Sequence, residues 1–364
     1  MPTTMKTDRR SFLRNGALAG AALAASTTLS RGVRAAPAIT QGDIDILRFL
    51  AAVEIVEADL WKQYNELCGI RDNEIPGNAG GGNNAFTKAL NVLDEDMSQY
   101  VHDNTDDEFS HVAFINAYLV SKGAQAVSLE QFRTLPSSQA TGAVKTAKRI
   151  TNLTQLTVDT SWWTRYRDDS HNPDLDGFGV FPQAIPDLAN GKFKAIPKTD
   201  ADTTNATHLQ AIANTAAFHF AAIEQGGSSL YPTLALKVVS VEVLQILISI
   251  GPSETMHFQT WQDKAGNAPA LTDPTNGLRF PDLSQDSVGQ RFLNNLIMPE
   301  PAPFISRSLP RCSVIRPVST DTRTFGAVVA VEGLIKSGLF TGQSSAFFTF
   351  IRNLAQRADA ASRF

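Results

Sequence analysis

Four long stretches of the chain place apolar residues three and four positions apart, the spacing that buries one face of an α-helix. Helix A is predicted from about Thr40 to Cys68, helix B from Asn84 to Lys122, helix C from Asn205 to Leu236, and helix D from Ser240 to Gln262. The glycine-rich run 77–82 separates A from B, and the apolar pattern resets near Ser240, between C and D. The pattern therefore predicts an all-α fold built from two antiparallel helical hairpins.

A long crossover connects the predicted hairpins, as is required when helices B and C run parallel. It covers residues 123–204, and the part around 142–163 is predicted to be helical. Beyond helix D, residues 264–364 are predicted to form an extension with two helices, at 323–337 and 343–360. We expect this extension to pack on the bundle of residues 40–263; a separate small domain is the alternative.

Two glutamates lie on apolar helix faces. Glu54 shares its face of helix A with apolar neighbours, and Glu224 does so on helix C. An unpaired carboxylate in a core costs on the order of several kcal/mol or takes up a proton, and a bound cation removes that cost. Glu57 also has an apolar neighbourhood and could be a second ligand on helix A or a hydrogen-bond partner; Glu54 is favoured as the ligand.

Helices B and D each carry a Glu-x-x-His motif, formed by Glu108 with His111 and by Glu254 with His257. A Glu and a His three residues apart lie on one helix face, where they can bind one metal ion together. The chain contains 12 Glu and 6 His, so about 0.2 such pairs are expected by chance. Two copies in one chain therefore favour a metal-binding role.

The two hairpins repeat the same unit. In each hairpin, the glutamate of the first helix and the glutamate of the motif are equally far from the turn, so the pair is level across the hairpin. The first glutamate is followed seven residues later by an aromatic residue, Trp61 in one hairpin and Tyr231 in the other. These aromatic residues could be redox-active or could only pack against the site.

This repeated unit resembles the ferritin-like superfamily, and most of all its desiccation- and stress-related branch. The matching segments are 53–58, 107–112, 223–231 and 254–257. The resemblance implies a four-helix bundle that holds two divalent metal ions, iron or manganese rather than zinc. The implied ligands are Glu54, Glu108, His111, Glu224, Glu254 and His257. Pro252, just before the second motif, departs from the family pattern and is expected to bend helix D.

The resemblance implies an exported di-metal oxidoreductase that acts on oxygen, peroxide or ferrous iron. The alternative is a stress-related ferritin-like protein without catalytic activity, in which the metal is structural or absent. Of the other histidines considered, His102 is predicted to be a surface or packing histidine, His219 is predicted to be structural rather than a ligand, and His208 carries no signal. Acidic residues of helix B, including Asp106 and Asp107, are predicted to form a solvated face.

The start of the chain resembles a twin-arginine signal peptide, assigned to residues 1–35. Arg9 and Arg10 precede a weakly apolar run over 16–29, and small residues ending at Ala35 or Ala38 offer a cleavage site. The run is too short to span a bilayer stably. The protein is therefore expected to use the twin-arginine translocase and to be periplasmic or extracellular.

Charge and cysteine content narrow the remaining functions. The chain has a net charge of −4, and residues 1–35 hold six basic residues against one acidic residue, so the rest is more acidic still. An acidic body without basic clusters argues against nucleic-acid binding. No later stretch is long enough for a transmembrane helix. Cys68 and Cys312 could form a disulfide or remain free thiols, and the sequence leaves the oligomeric state open.

Overall fold

The computed structural model describes residues 39–75, 77, 82–166, 181–283, 298–300, 306, 308, 310, 312–314 and 325–363. The predicted signal peptide lies outside these residues. Helices dominate the described chain, and its strands are short antiparallel pairs, which confirms the predicted all-α fold. None of the described helices is long and apolar enough to cross a membrane.

The described helices, in chain order, are α1 (Gln41–Cys68), α2 (Asn84–Leu90), α3 (Met97–Ser121), α4 (Ser161–Arg165), α5 (Pro186–Asn190), α6 (Ala206–Ala235), α7 (Val241–Ala265), α8 (Ala327–Lys336) and α9 (Ser345–Ala360). The strands are β1 (Leu135–Pro136), β2 (Lys148–Arg149), β3 (Leu271–Thr272), β4 (Arg279–Phe280), β5 (Met298–Glu300) and β6 (Cys312–Val314). β1 pairs with β2, β3 with β4 and β5 with β6.

Helices α1 and α3 form one hairpin of the bundle, and α6 and α7 form the other. Aromatic side chains join the hairpins at the centre. The ring centroid of Trp61 lies 4.8 Å from that of Phe220 and 5.3 Å from that of Trp261. Stacked aromatic rings bury large apolar areas, and they hold the two hairpins at a fixed separation.

A capping box begins helix α1. The Thr40 hydroxyl accepts a hydrogen bond from the Asp43 amide, and the Asp43 carboxylate accepts one from the Thr40 amide. The same carboxylate also accepts from the backbone amides of Val239 and Ser240, at 2.8 and 3.2 Å. Asp43 therefore ties the start of the first hairpin to the turn of the second.

The prediction of one continuous helix B is wrong. The chain turns between α2 and α3, where the Asp94 carboxylate accepts a hydrogen bond from the Asp96 amide. Asn267, which follows α7, donates to the Leu93 carbonyl and holds this turn in place. Local side-chain bonds to the backbone compete with helix formation, so α2 leaves the axis of α3 and packs across α6.

The predicted helix around residues 142–163 is also wrong, because only α4 at its end is helical. Turns, strand β2 and irregular chain fill the rest, held by two buried carboxylates of α1. Asp59 accepts hydrogen bonds from the amides of Ile150 and Thr151, each at 2.9 Å. Glu66 accepts from the Val144 amide and forms an ion pair with the buried Arg149. The apolar residues of this segment are buried against the bundle without being helical.

The C-terminal helices α8 and α9 match the two predicted helices. α9 packs on α1, where Arg357 forms an ion pair with Asp45 at 2.6 Å. The carboxylate of Asp359 on α9 accepts hydrogen bonds from the first two amides of α8, so each helix fixes the other. Cys68 is a buried free thiol, and the side chain of Cys312 lies outside the described part.

Candidate metal centre

Each long helix of the bundle sends one glutamate into the core. Glu54 comes from α1, Glu108 from α3, Glu224 from α6 and Glu254 from α7, and each is at most 1% exposed. His111 and His257 follow one turn after the glutamates of α3 and α7, and both are also buried. Glu54 and Glu224 lie on largely apolar helix faces, and each histidine shares the inward face of the glutamate one turn before it.

The six predicted ligands converge as two overlapping groups. Glu54, Glu108, His111 and Glu254 place one ligand atom each within 4.8 Å of one another, and so do Glu108, Glu224, Glu254 and His257. We call Glu54 and His111 the first position, and Glu224 and His257 the second position. The shared carboxylates, Glu108 and Glu254, belong to both groups. Two cations would fit this arrangement, each held by its own Glu and His together with the two shared carboxylates.

Both histidines turn Nδ1 toward the carboxylates. His111 Nδ1 lies 3.2 Å from Glu54 and from Glu108 and 3.3 Å from Glu254. His257 Nδ1 lies 3.3 Å from Glu224 and 3.4 Å from Glu108. These separations leave each imidazole nitrogen and its carboxylates close enough to contact one cation together.

The donor set fits a pair of divalent cations. Among the described residues, neither carboxylate oxygen of Glu254 has a hydrogen bond, although both oxygens are buried; its nearest polar neighbour described is His111 Nδ1, at 3.3 Å. A buried carboxylate without hydrogen bonds is costly, and bound divalent cations would satisfy both oxygens. Four carboxylates also balance the charge of two divalent ions. Carboxylate and imidazole ligands suit iron, manganese and zinc better than soft cations.

Crowding of the carboxylates shifts their proton affinities. Burial and the charge of Glu108 raise the pKa of Glu54 to about 7, and the same two causes raise the pKa of Glu254 well above its usual value. Burial also raises the pKa of Glu224. Glu108 is the exception, because hydrogen bonds and charge from the two histidines outweigh burial and lower its pKa. Without cations, the core therefore retains protons on some carboxylates.

The nearby carboxylates raise the pKa of both histidines, so the histidines hold their protons. Burial acts to lower the pKa of His111, but hydrogen bonds and charge from Glu108 and Glu54 outweigh it and raise that pKa to about 10. Carboxylates around His257, Glu224 first among them, likewise raise its pKa well above the usual value against the effect of burial. A cation that takes Nδ1 as a ligand must displace these protons, so binding is coupled to proton release.

The two aromatic residues singled out from the sequence each donate a hydrogen bond to a glutamate that belongs to only one ligand group. Trp61 Nε1 donates a hydrogen bond to Glu224 at 2.8 Å, and the Tyr231 hydroxyl donates to Glu54. Both aromatic residues are buried. Glu57 is buried as well, with a pKa raised by burial and by Glu108, but the two ligand groups contain Glu54 and not Glu57.

Three polar residues that contact the ligands were not singled out from the sequence. Asn104 Nδ2 lies 3.0 Å both from Glu224 and from His257 Nδ1. Asp107, expected on a solvated face, lies 3.0 Å from His257 Nε2, and Ser253 Oγ lies 3.2 Å from His111 Nε2. A sequence signal existed: Asp107 and Ser253 directly precede the two Glu-x-x-His motifs, and Asn104 lies one turn before Glu108.

The remaining histidines considered from the sequence lie outside both ligand groups. His219 is hydrogen-bonded to the Tyr64 hydroxyl at 2.9 Å, and His208 to Asp273 at 2.7 Å. The buried His102 lies 3.1 Å from Asp72, on the loop before α2. Each therefore joins separate segments of the chain, and His102 forms a third possible ligand group with the exposed Asp72 and Glu74.

A glycine makes room for one shared carboxylate. A Cβ atom at Gly227 would lie 2.7 Å from Oε2 of Glu254, which is closer than van der Waals contact allows. The neighbouring Gly226 faces open space instead. The prolines do not interrupt the bundle: α6 continues through Pro232, and α7 through Pro252. Close approach of α6 to α7 thus depends on the bare backbone at Gly227.

Comparisons with known proteins bear on the family. A family model of the ferritin-like domain matches residues 42–267, which is more than half of the chain. Comparisons with curated proteins and with solved structures gave no match. The matched residues include all four bundle helices and all six candidate ligands. The chain therefore belongs to the ferritin-like domain family.

Proposed function

We propose that this protein is an exported di-metal carboxylate oxidoreductase that acts on oxygen, peroxide or ferrous iron. The observation that carries the proposal is the pair of ligand groups that share Glu108 and Glu254. Shared carboxylates would hold two cations close together, which favours reactions that exchange two electrons with one small substrate. Iron or manganese bound there would supply the redox chemistry, and neither ion is distinguished by the donor set.

Residues of the chain would prepare the site. Burial of the four glutamates excludes bulk water, which strengthens every electrostatic interaction inside. Trp61 and Tyr231 fix the orientations of Glu224 and Glu54 through their hydrogen bonds. Such outer contacts commonly change metal affinity or activity about 10–100-fold when removed.

Export is the second part of the proposal, and it rests on residues 1–35 alone. The paired arginines, the weakly apolar run and the small residues that follow resemble a twin-arginine signal. Export would place the protein in the periplasm or outside the cell. A fusion of residues 1–38 to a reporter that is active only after folded export tests this part, and replacement of Arg9 and Arg10 by Lys should abolish export.

Elemental analysis of the purified protein without its signal tests the metal centre. We expect two iron or manganese ions per chain and consumption of peroxide or oxidation of ferrous ions. The Glu108→Ala and Glu254→Ala double variant should lose both ions and unfold at lower temperature. Glu242→Ala on α7 is the matched control, because its carboxylate is exposed and pairs with Lys122. Unchanged metal content in the double variant would refute the assignment.

A structural role for the metal is the second candidate, and the close enclosure of the ligands favours it. All four carboxylates are at most 1% exposed, and both histidines are buried, so a substrate would need a local opening of the bundle. A full metal complement without turnover of oxygen, peroxide or ferrous ions would support this candidate. Such a result would fit the stress-related branch that the sequence resembles.

A further inference from the structure

The two positions differ in the group that contacts the outer nitrogen of each histidine. At the second position, His257 Nε2 lies 3.0 Å from the Asp107 carboxylate. At the first position, His111 Nε2 lies 3.2 Å from the Ser253 hydroxyl. Asp107 and Ser253 occupy equivalent places, since each directly precedes the Glu of its motif. Two hairpins with the same ligands thus differ by one negative charge behind the histidine.

Hydrogen-bond directions at both contacts follow from the partners. Ser253 Oγ lies 2.6 Å from the Ile250 carbonyl, which can only accept, so the single hydroxyl proton is donated there. Ser253 Oγ must then accept from His111 Nε2–H. A carboxylate also only accepts, so Asp107 accepts from His257 Nε2–H. Each neutral histidine therefore carries its proton on Nε2 and has a lone pair on Nδ1. At His111 this lone pair faces the carboxylates, whereas at His257 a cation would displace the Asn104 Nδ2 donor, which lies 3.0 Å from Nδ1.

A charged acceptor makes its histidine the stronger ligand. Hydrogen bonds to a carboxylate are roughly twice as strong as those to a neutral oxygen. Pull on the Nε2 proton raises electron density at Nδ1, which increases the basicity of the ligand toward a cation. The Asp107 side chain is half-exposed, so water screens its field at longer range while the direct hydrogen bond remains.

We propose that the two positions are unequal: the second position (Glu224 and His257) binds its divalent cation first and more tightly, and the first position (Glu54 and His111) exchanges. This inference rests on the proposed function, which supplies the cations. Asp107 acts as a positioning residue through His257, and Ser253 is its weaker counterpart through His111. Loss of such an outer partner typically weakens metal binding about 10–100-fold.

Titration of the metal-free, signal-cleaved protein with Mn²⁺ alone tests the proposal, with free Mn²⁺ counted by electron paramagnetic resonance. Two dissociation constants are expected in the wild type, at least about tenfold apart. This separation does not suffice by itself, because two equal positions also fill in sequence when the first ion repels the second. Variants at Asp107 and Ser253 decide which position fills first.

Asp107→Asn should raise the smaller of the two Mn²⁺ dissociation constants by about 10–100-fold. If the positions were equal, the variant would fill its intact position first, and the tighter constant would not change. Ser253→Asp should lower the larger dissociation constant and so reduce the ratio between the two constants. Asp106→Asn is the matched control, since it removes the same charge from the adjacent residue, while the acidic partner described for His257 Nε2 is Asp107. Circular dichroism checks that every variant is folded.

An unchanged tighter constant in Asp107→Asn would overturn the inference, as would an equal loss in Asp106→Asn. Either result leaves the proposed function intact, because two Mn²⁺ ions would still bind. A folded wild type that binds no Mn²⁺, Fe²⁺ or other divalent cation would overturn both the inference and the proposed function. The two failures are therefore distinguishable.

Discussion

Substitution of Gly227 by alanine probes the approach of α6 to the shared carboxylate of Glu254. The new Cβ would lie 2.7 Å from Oε2, 3.2 Å from Cγ and 3.3 Å from Cβ of Glu254. The first distance is shorter than any ordinary contact, whereas the other two require shifts of a few tenths of an ångström. The carboxylate is the far end of a flexible side chain and moves most easily, so it is the group that should leave its place.

The adjacent Gly226 provides a reference for the change in the free energy of unfolding. Alanine is favoured over glycine inside a helix by about 1 kcal/mol, and this gain applies to both positions. At Gly226 nothing lies within 4 Å of the new Cβ, so the gain should appear in full. At Gly227 overpacking costs about 1–3 kcal/mol, which offsets the gain or exceeds it. The metal-free Gly227→Ala protein should therefore be less stable than Gly226→Ala by about 1–3 kcal/mol.

Metal content separates the two variants more sharply than stability. Gly226→Ala should bind both cations as the wild type does. Gly227→Ala should displace one shared carboxylate and therefore lower the affinity for both cations. Urea unfolding of the metal-free proteins and elemental analysis of the loaded proteins measure the two effects. A Gly227→Ala protein with full metal content and the stability of Gly226→Ala would refute the close approach of α6 to Glu254.

Three further predictions follow from the contacts around the core. The metal-free protein should lose stability as the pH rises from about 4.5 to about 10. Folding raises the pKa of Glu54 from 4.5 to about 7 and that of His111 from 6.5 to about 10, so the folded state binds protons more tightly than the unfolded state over that range. Urea unfolding at several pH values with a chelator measures this, and Mn²⁺ affinity should rise over the same range. Trp61→Phe should leave Glu224 without its indole donor and weaken metal binding, at a cost of about 1.5–3 kcal/mol for a hydrogen bond to a charged group, measured by Mn²⁺ titration. Asp59→Asn should destabilise the crossover by about 1–3 kcal/mol, measured by urea unfolding.

Matched variants check these predictions. Tyr64→Phe removes a buried hydroxyl that contacts His219 rather than a ligand, so it should leave Mn²⁺ binding unchanged. Glu130→Gln removes the exposed partner of Arg133 and should cost less than about 1 kcal/mol, whereas Asp59 is the buried partner of that arginine. A metal-free protein that gains stability between pH 5 and pH 9 would contradict the pKa shifts at the core.

The ligand set could be found in the sequence because helical geometry is local and repeats. Glu108 with His111, and Glu254 with His257, share a face through spacing alone, and the glutamates of α1 and α6 stand out among apolar neighbours. Counting residues from each turn then shows that the two glutamates of a hairpin lie at the same height. For Asn104, Asp107 and Ser253 the sequence gives only their places beside the motifs. Their contacts with the histidines depend on how the helices face one another.

The two wrong helix predictions, a continuous helix B and a helix around residues 142–163, concern segments whose conformation is decided by distant residues. Residues 142–160 have apolar positions at helical spacing, but Asp59 and Glu66 on α1 capture their backbone amides and Arg149. The turn before α3 is likewise held by Asn267, far along the chain. Periodicity reports which residues are buried, and it does not report whether burial comes from a helix or from extended chain under a helix.

The shared carboxylates have a mechanical consequence for the protein in the cell. Glu108 belongs to one hairpin and Glu254 to the other, so each bound cation would clamp all of the bundle rather than one half of it. Departure of either hairpin would release both ions at once, and the loaded protein should open as a single unit. Without metal, the hairpins would lose this link and keep contacts such as the aromatic rings, the bonds of Asp43 and the hydrogen bonds of Trp61 and Tyr231. The fraction of chains exposed to proteases would therefore follow the supply of metal.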